Sequence, residues 1–233
     1  MINNIIPSID MNDIDMEKCY FNPGCAMNLY KPELTEPLLK LLHTHYGNVK
    51  LHSICCHHNP DIPVGSTIIN NCAGCDRRFR SQFEGINTIT YWEVLDMIES
   101  KELPDYNGLT VSVHDSCSFR RKPQVHAAVR SILRKMNIEI IESEFSGTKS
   151  ICCGDNFYGH IPSEKVAEQQ IKRAAQMPCD DVVVYCIGCV RSMNFGGKNA
   201  RYLVDLVLGR KTEPMNHTLE EYHEDLENYI ESH

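Results

Sequence analysis

Cys152-Cys153-Gly154 sets two thiols side by side on a turn that the glycine leaves sterically open. Adjacent cysteines are poor disulfide partners, because a disulfide wants Cα atoms about 5.5 Å apart and neighbouring Cα atoms lie about 3.8 Å apart. Two thiolates held this way suit a metal. A second adjacent pair, Cys55-Cys56, and two Cys-x-x-Cys pairs, Cys72/Cys75 and Cys186/Cys189, carry the same chemistry, and Cys25 and Cys117 precede the two series. The chain has 12 cysteines and opens with neither a basic n-region nor an apolar h-region, so a secreted disulfide framework is not expected. Metal ligation or redox chemistry is the reading that remains, in a soluble, cytoplasmic protein.

Laid over one another, Cys25 and Cys117 are offset by 92 residues, Cys55 and Cys152 by 97, and both Cys72/Cys186 and Cys75/Cys189 by 114. The two halves read as internal copies. Only fifteen residues separate Cys56 from Cys72, so the first copy lacks most of the helix that residues 163–175 supply in the second. Ten cysteines belong to the pattern; Cys19 and Cys179 stand outside it and read as packed or surface thiols. Four thiolates suffice for a zinc site or a cubane, so five per half is a surplus. Ligand number and softness favour iron–sulfur chemistry in both halves, with zinc as the alternative in the first.

These motifs need elements to position them. Apolar periodicity predicts a helix carrying Leu34, Leu38, Leu41 and Leu42, strands over residues 49–54 and 66–70, and a helix opening at Cys72. Thr90 and Glu93 form a capping box for a helix over residues 91–100, and residues 103–108 read as a linker. The second half repeats the order: a strand over 109–113, a helix with a stripe from Val125 to Met136, a strand over 138–141, a helix from Ser163, and a strand over 181–185. A helix over 199–208 follows, and Thr218 caps a final acidic amphipathic helix. Alternating strands and helices predict an α/β protein of two pseudo-symmetric Rossmann-like βαβ halves with small parallel sheets, every cysteine motif lying at a carboxyl strand end. The divisions expected are an arm over 1–19, a shortened first domain over 20–105, a second over 106–210, and the terminal helix over 211–233.

With 42% hydrophobic and 23% charged residues the chain can bury a real core. Its net charge of −8 argues against a broad nucleic-acid surface, and no apolar run reaches the length of a membrane span. His57 and His58 read as a polar loop, as ligands, or as a proton donor; His114 as a structural hydrogen-bonding group or a proton-transfer group. Arg120, Arg121 and Lys122 beside Cys117 read either as a solvated helix start or as a receptor for an anionic substrate. No G-x-G-x-x-G or Walker loop occurs, so no flavin, nicotinamide or nucleotide site is expected.

The order single Cys, Cys-Cys, Cys-x-x-Cys, present twice over residues 20–195, resembles the cysteine-rich CCG domain of the heterodisulfide reductase B-like family, whose relatives also serve lactate, glycolate and succinate oxidoreductases. The match is close in His-Asp-Ser-Cys117, Cys152-Cys153-Gly154 and Cys186-Ile-Gly-Cys189, whereas the first half has His57 in place of the glycine. The resemblance implies a non-cubane [4Fe-4S] unit held by Cys25, Cys55, Cys56, Cys72 and Cys75, and another held by Cys117, Cys152, Cys153, Cys186 and Cys189. It implies a small-molecule disulfide or thiol substrate cleaved or formed between the two. Electrons would come from a partner subunit of ferredoxin type or a flavoprotein, since the chain has no carrier motif of its own. The alternative is a non-catalytic relay or assembly subunit of a lactate-, glycolate- or succinate-type enzyme, with one cluster in the second half and zinc or no metal in the first.

Overall fold

The computed structural model describes Ile6 and residues 14–233; the rest of the expected N-terminal arm lies outside the described residues. The first half runs β1 (Cys19–Asn22), α1 (Cys25–Tyr30), α2 (Thr35–Tyr46), β2 (Lys50–Leu51), β3 (Thr67–Asn70), α3 (Ala73–Gln82), β4 (Asn87–Thr90) and α4 (Tyr91–Leu95). The second runs β5 (Leu109–Val113), α5 (Pro123–Lys135), β6 (Ile138–Ile140), α6 (Ser163–Ala175), β7 (Asp181–Val184), α7 (Ile187–Phe195), β8 (Asn199–Tyr202), α8 (Leu203–Val207) and α9 (Leu219–Ser232). The strands form two four-stranded sheets, ordered β2-β1-β3-β4 and β6-β5-β7-β8, and every pair is parallel. The halves thus share one strand order, and the expected α/β architecture holds. Three strands of each sheet lead at their carboxyl ends into cysteines: β1, β2 and β3 into Cys25, Cys55-Cys56 and Cys72, and β5, β6 and β7 into Cys117, Cys152-Cys153 and Cys186.

A strand in the middle of a parallel sheet is covered on both faces, so it reads as a continuous apolar run. β7 does, with Val182, Val183 and Val184 buried, and all four residues of β3 are buried. Three expectations need correction. The strand over 49–54 shrinks to Lys50–Leu51, both exposed, because β2 is an edge that meets only Tyr20 and Phe21 before the chain turns away. The helix over 91–100 keeps its capping box, with Thr90 N–H donating to Glu93 at 3.0 Å, but ends at Leu95. There the Lys135 ammonium takes the carbonyls of Asp96 and Ile98 that a longer helix would have used. The helix over 199–208 splits, since Asn199–Tyr202 pair with β7 as an edge strand and only Leu203–Val207 coil. Finally, β1 and β4 carry no sequence signal that separates them from loops; Cys19, read as a packed or surface thiol, is packed, opening β1 in the core.

One apolar core passes through both halves, with Trp92 of the first against Tyr185 of the second at 5.9 Å between centroids. Two buried ion pairs tie the halves reciprocally. Lys122 of the second half reaches Asp76 at 3.1 Å and Glu93 at 3.7 Å, and Lys31 of the first reaches Asp205 at 3.0 Å. Lys122 is buried and so is committed inside the protein rather than to a solvated helix start, whereas Arg120 stays exposed while donating to the Ser150 carbonyl at 2.6 Å. Among the described residues no helix is long and apolar enough to cross a membrane. Removing one member of a buried ion pair strands the other, at a cost of about 3–5 kcal/mol. Lys122→Met is therefore expected to lower the unfolding free energy by roughly 3 kcal/mol in denaturant titration, Arg80 keeping part of the Asp76 charge compensated. Lys165→Met, at an exposed pair, should change it by less than about 0.5 kcal/mol.

Candidate metal centres

The first thiol set is assembled by turns at the ends of β1, β2 and β3. Gly24 (φ +85°) carries the chain from β1 into α1, and a Cβ there would lie 2.6 Å from the Cβ of Cys72, so a glycine is what lets the Cys25 turn approach the Cys72 turn. Cys72 stands at the N-cap of α3 and Cys75 in its first turn, where free backbone N–H groups favour thiolate. The thiols touch in the order Cys25, Cys55, Cys56, Cys75, Cys72. Cys55 accepts hydrogen bonds from both Cys25 and Cys56 and is drawn down to about 2, while Cys25, which keeps its proton to donate that bond, is pushed up. Cys72 is drawn down to about 7 by its bond with Cys75.

The second set repeats this arrangement. Its thiols touch in the order Cys117, Cys152, Cys153, Cys189, Cys186, with Cys153 and Cys189 at 3.5 Å. Cys152, between Cys117 and Cys153 as Cys55 is between Cys25 and Cys56, is also drawn down to about 2, helped by the N–H groups of Gly154 and Asn156. Each set thus holds its most stable thiolate at the first residue of the vicinal pair. All ten of these cysteines are free thiols; Cys19 lies buried in the core and Cys179 is half-buried, its N–H bonded to Ser112.

The two turns differ where the sequence predicted. Gly154 sits at φ +110° against α6, where a Cβ would lie only 2.7 Å from Gln170 Cγ and 3.1 Å from the Gln170 backbone nitrogen. His57, at the matching place, has no left-handed backbone and no helix behind it. His57 lines a cleft of about 310 Å³ over the first set, together with Arg77, Arg78, Leu226 and Ile230. His58 bonds the Ile230 carbonyl at 2.7 Å, which makes it a clasp for the terminal helix.

That helix, α9, docks on the body of the protein. Its polar contacts reach both sets: Cys55 N–H donates to the His233 carbonyl at 3.2 Å, and His223 stacks on Tyr158 at 4.0 Å beside Asp155. Between the sets lies a cavity of about 130 Å³ walled by Cys72, Cys186, Tyr185, Tyr202 and Tyr222. It shares Ala26, Cys72 and Leu226 with the 310 Å³ cleft.

The second set rests on polar residues that spacing alone does not reveal. Burial pushes Asp115 up, but hydrogen bonds from His126 and Arg130 outweigh it and hold the carboxyl well below its usual range. Asp115 also accepts from Tyr185 at 2.9 Å and from Gly147 N–H at 2.6 Å, which fixes the turn leading to Cys152 against the loop carrying Cys117. His114 is buried, accepts from Arg173 Nε at 3.2 Å, and is pushed down to about 3 by burial and by that guanidinium. One of its ring nitrogens and the thiols of Cys153 and Cys189 all lie within 4.8 Å of one another. Sequence reasoning singled out His114 but not Arg173, which is 59 residues away and approaches from α6.

Gly154 and Gly159 separate strain from contact. Both have positive φ, but a Cβ at Gly159 meets nothing within 4 Å. Gly159→Ala is expected to cost about 1 kcal/mol, the left-handed backbone alone. Gly154→Ala should cost more, up to about 3 kcal/mol, because a backbone atom of α6 must also move. Chemical denaturation of the two variants checks the order, and equal losses would remove the contact argument.

Comparison with known proteins bears on the half that is better formed. An uncharacterized iron–sulfur protein of Methanococcus maripaludis is 24% identical over 199 residues, which is 72% of this chain and 39% of that protein. A probable membrane-anchored ferredoxin of Chromohalobacter salexigens is 29% identical over 99 residues, 40% of this chain and 15% of that one. The chain therefore spans less than half the length of either relative. A family model described as a cysteine-rich domain, CCG, matches residues 111–194, which begin within β5 and end within α7 and so contain all five thiols of the second set. Residues 111–194 thus match the cysteine-rich CCG domain, which is typical of heterodisulfide reductase B-like proteins.

Proposed function

We propose that this chain is an iron–sulfur oxidoreductase subunit that makes or breaks a disulfide, or a related sulfur bond, using electrons passed through a partner subunit of ferredoxin type or a flavoprotein. The observation that carries the reading is the repeated thiol order: five cysteines in each half touch in the same sequence, and the two sets wall a common cavity through Cys72 and Cys186. The residues fit clusters well. Five converging thiols exceed what zinc takes, they are soft donors, and each set already favours a thiolate, the ligating form. Cys25, Cys55, Cys56, Cys72 and Cys75 would hold one cluster and Cys117, Cys152, Cys153, Cys186 and Cys189 the other, both as non-cubane [4Fe-4S] units. Bound there, such clusters supply one-electron exchange and an iron that accepts sulfur.

The remaining chemistry belongs to the chain. Leu226 and Ile230 of α9 cover the first set with apolar surface, and Tyr222 and Tyr202 line the space between the sets, so water is limited where sulfur would react. Arg77 and Arg78 lie on the cleft of the first set, placing cationic side chains beside it. The names of both relatives, one an iron–sulfur protein and one a ferredoxin, accord with an electron-transfer role. One observation favours the relay as a second reading: α9 lies over the first set and narrows the approach of a substrate.

Protein purified without oxygen is expected to contain about eight irons and as many acid-labile sulfides per chain. Cys153→Ser should remove about half of the iron, and Cys56→Ser the other half. Zinc in both sets, or iron without sulfide, would overturn the reading. Adding small disulfides to the reduced protein should raise a new paramagnetic signal; a relay would give none.

A further inference from the structure

His114 ends the ladder of β5, its N–H bonded to the Val183 carbonyl at 2.9 Å, and its ring is buried three residues before Cys117. Arginine has only donors, so the 3.2 Å contact from Arg173 Nε requires His114 Nδ1 to be an unprotonated acceptor. The ring proton then sits on Nε2. That nitrogen is buried and has no hydrogen-bond partner among the described residues, and one nitrogen of the ring lies within 4.8 Å of the Cys153 and Cys189 thiols. Arg173 is itself fully buried and held by the Phe145 carbonyl at 2.8 Å and Gln176 at 3.1 Å, so it cannot swing away to release the ring.

We infer that Arg173 locks His114 in the Nε2–H tautomer and so keeps an unpaired donor beside the Cys153–Cys189 pair, available to sulfur once the second site is loaded, acting as a positioning residue that raises the reduction potential of that site. His114 is thereby excluded as a metal ligand, although its distance from the two thiols alone would admit it, because a ligating nitrogen must be free of its proton. A hydrogen bond to sulfur stabilises the more negative, reduced state. The matching position of the first half has no imidazole: Asn22, three residues before Cys25, turns its amide nitrogen to Asn70 at 3.0 Å, and its oxygen accepts from Gly24 N–H at 3.0 Å. The donor therefore makes the two repeats unequal in the energy of an added electron.

The inference rests on the proposal that the second set holds an iron–sulfur cluster, and the test keeps the two apart. The tautomer is read first, from imidazole ¹⁵N shifts of the full-length protein, with His114→Gln identifying the resonance; Nε2–H with a bare Nδ1 is expected, and a proton on Nδ1 would overturn the inference whatever the metal. Iron and sulfide are then counted: no cluster in the second set sinks the site reading and leaves the tautomer standing. With clusters present, potentiometric titration of the paramagnetic signals should show one midpoint moved to lower potential in His114→Leu and in Arg173→Leu, with the other midpoint and the iron content unchanged. His114→Gln, which can still donate, should restore most of the shift. Unchanged midpoints in both leucine variants, or loss of half the iron in His114→Leu, would overturn it, the latter by making His114 a ligand.

Discussion

The arrangement depends on parallel pairing of two central strands in each half. Because β1 and β3 run the same way, and β5 and β7 likewise, the turns that leave their carboxyl ends emerge side by side, and a thiol on one turn lands next to a thiol on the other. An antiparallel pair would send them to opposite ends of the sheet. Everything else about the sites refines this. Gly24 allows two turns to close within a methyl's width, Gly154 folds the second Cys-Cys turn onto α6, and Asp115 ties three loops together with one carboxylate.

The halves have repeated this plan without repeating its supports. The second set is braced by α6, which supplies both the seat for Gly154 and the guanidinium that meets His114. The first set, lacking that helix, is closed from outside by α9, a segment that belongs to neither sheet. Equal thiol order on unequal scaffolding gives two sites with the same donors in different dielectric and hydrogen-bonding surroundings, and surroundings are the main lever a protein has on a cluster. The reciprocal ion pairs Lys122–Asp76 and Lys31–Asp205 keep those two environments in a fixed relation.

What could be read from the amino acids follows a physical line. Metal chemistry needs particular atoms at particular intervals, so Cys55-Cys56, Cys72/Cys75 and their partners are visible in spacing, and long amphipathic helices such as α5 and α9 are visible in period. β1 and β4 are not, because neither carries the unbroken apolar run that makes β7 legible at the same length, and the edge strand β8 hides in the apolar periodicity it shares with α8. The Arg173–His114 contact is invisible for a different reason: it joins residues 59 apart whose meeting is decided by how α6 lies on the sheet.

Parallel pairing also sets an order of events. The strands that bring the first thiols together hold Asn22 and Asn70, 48 residues apart, and those of the second hold Ser112 opposite Val182. Contacts so distant along the chain form late and slowly, after the entropy of closing long loops has been overcome. Until they do, ten thiols ride on unclosed loops in water, open to oxidation to sulfenic acid and beyond. The interval between synthesis and sheet closure is thus when the thiols that end up buried, Cys56, Cys75, Cys153 and Cys189 among them, are still open to an oxidant.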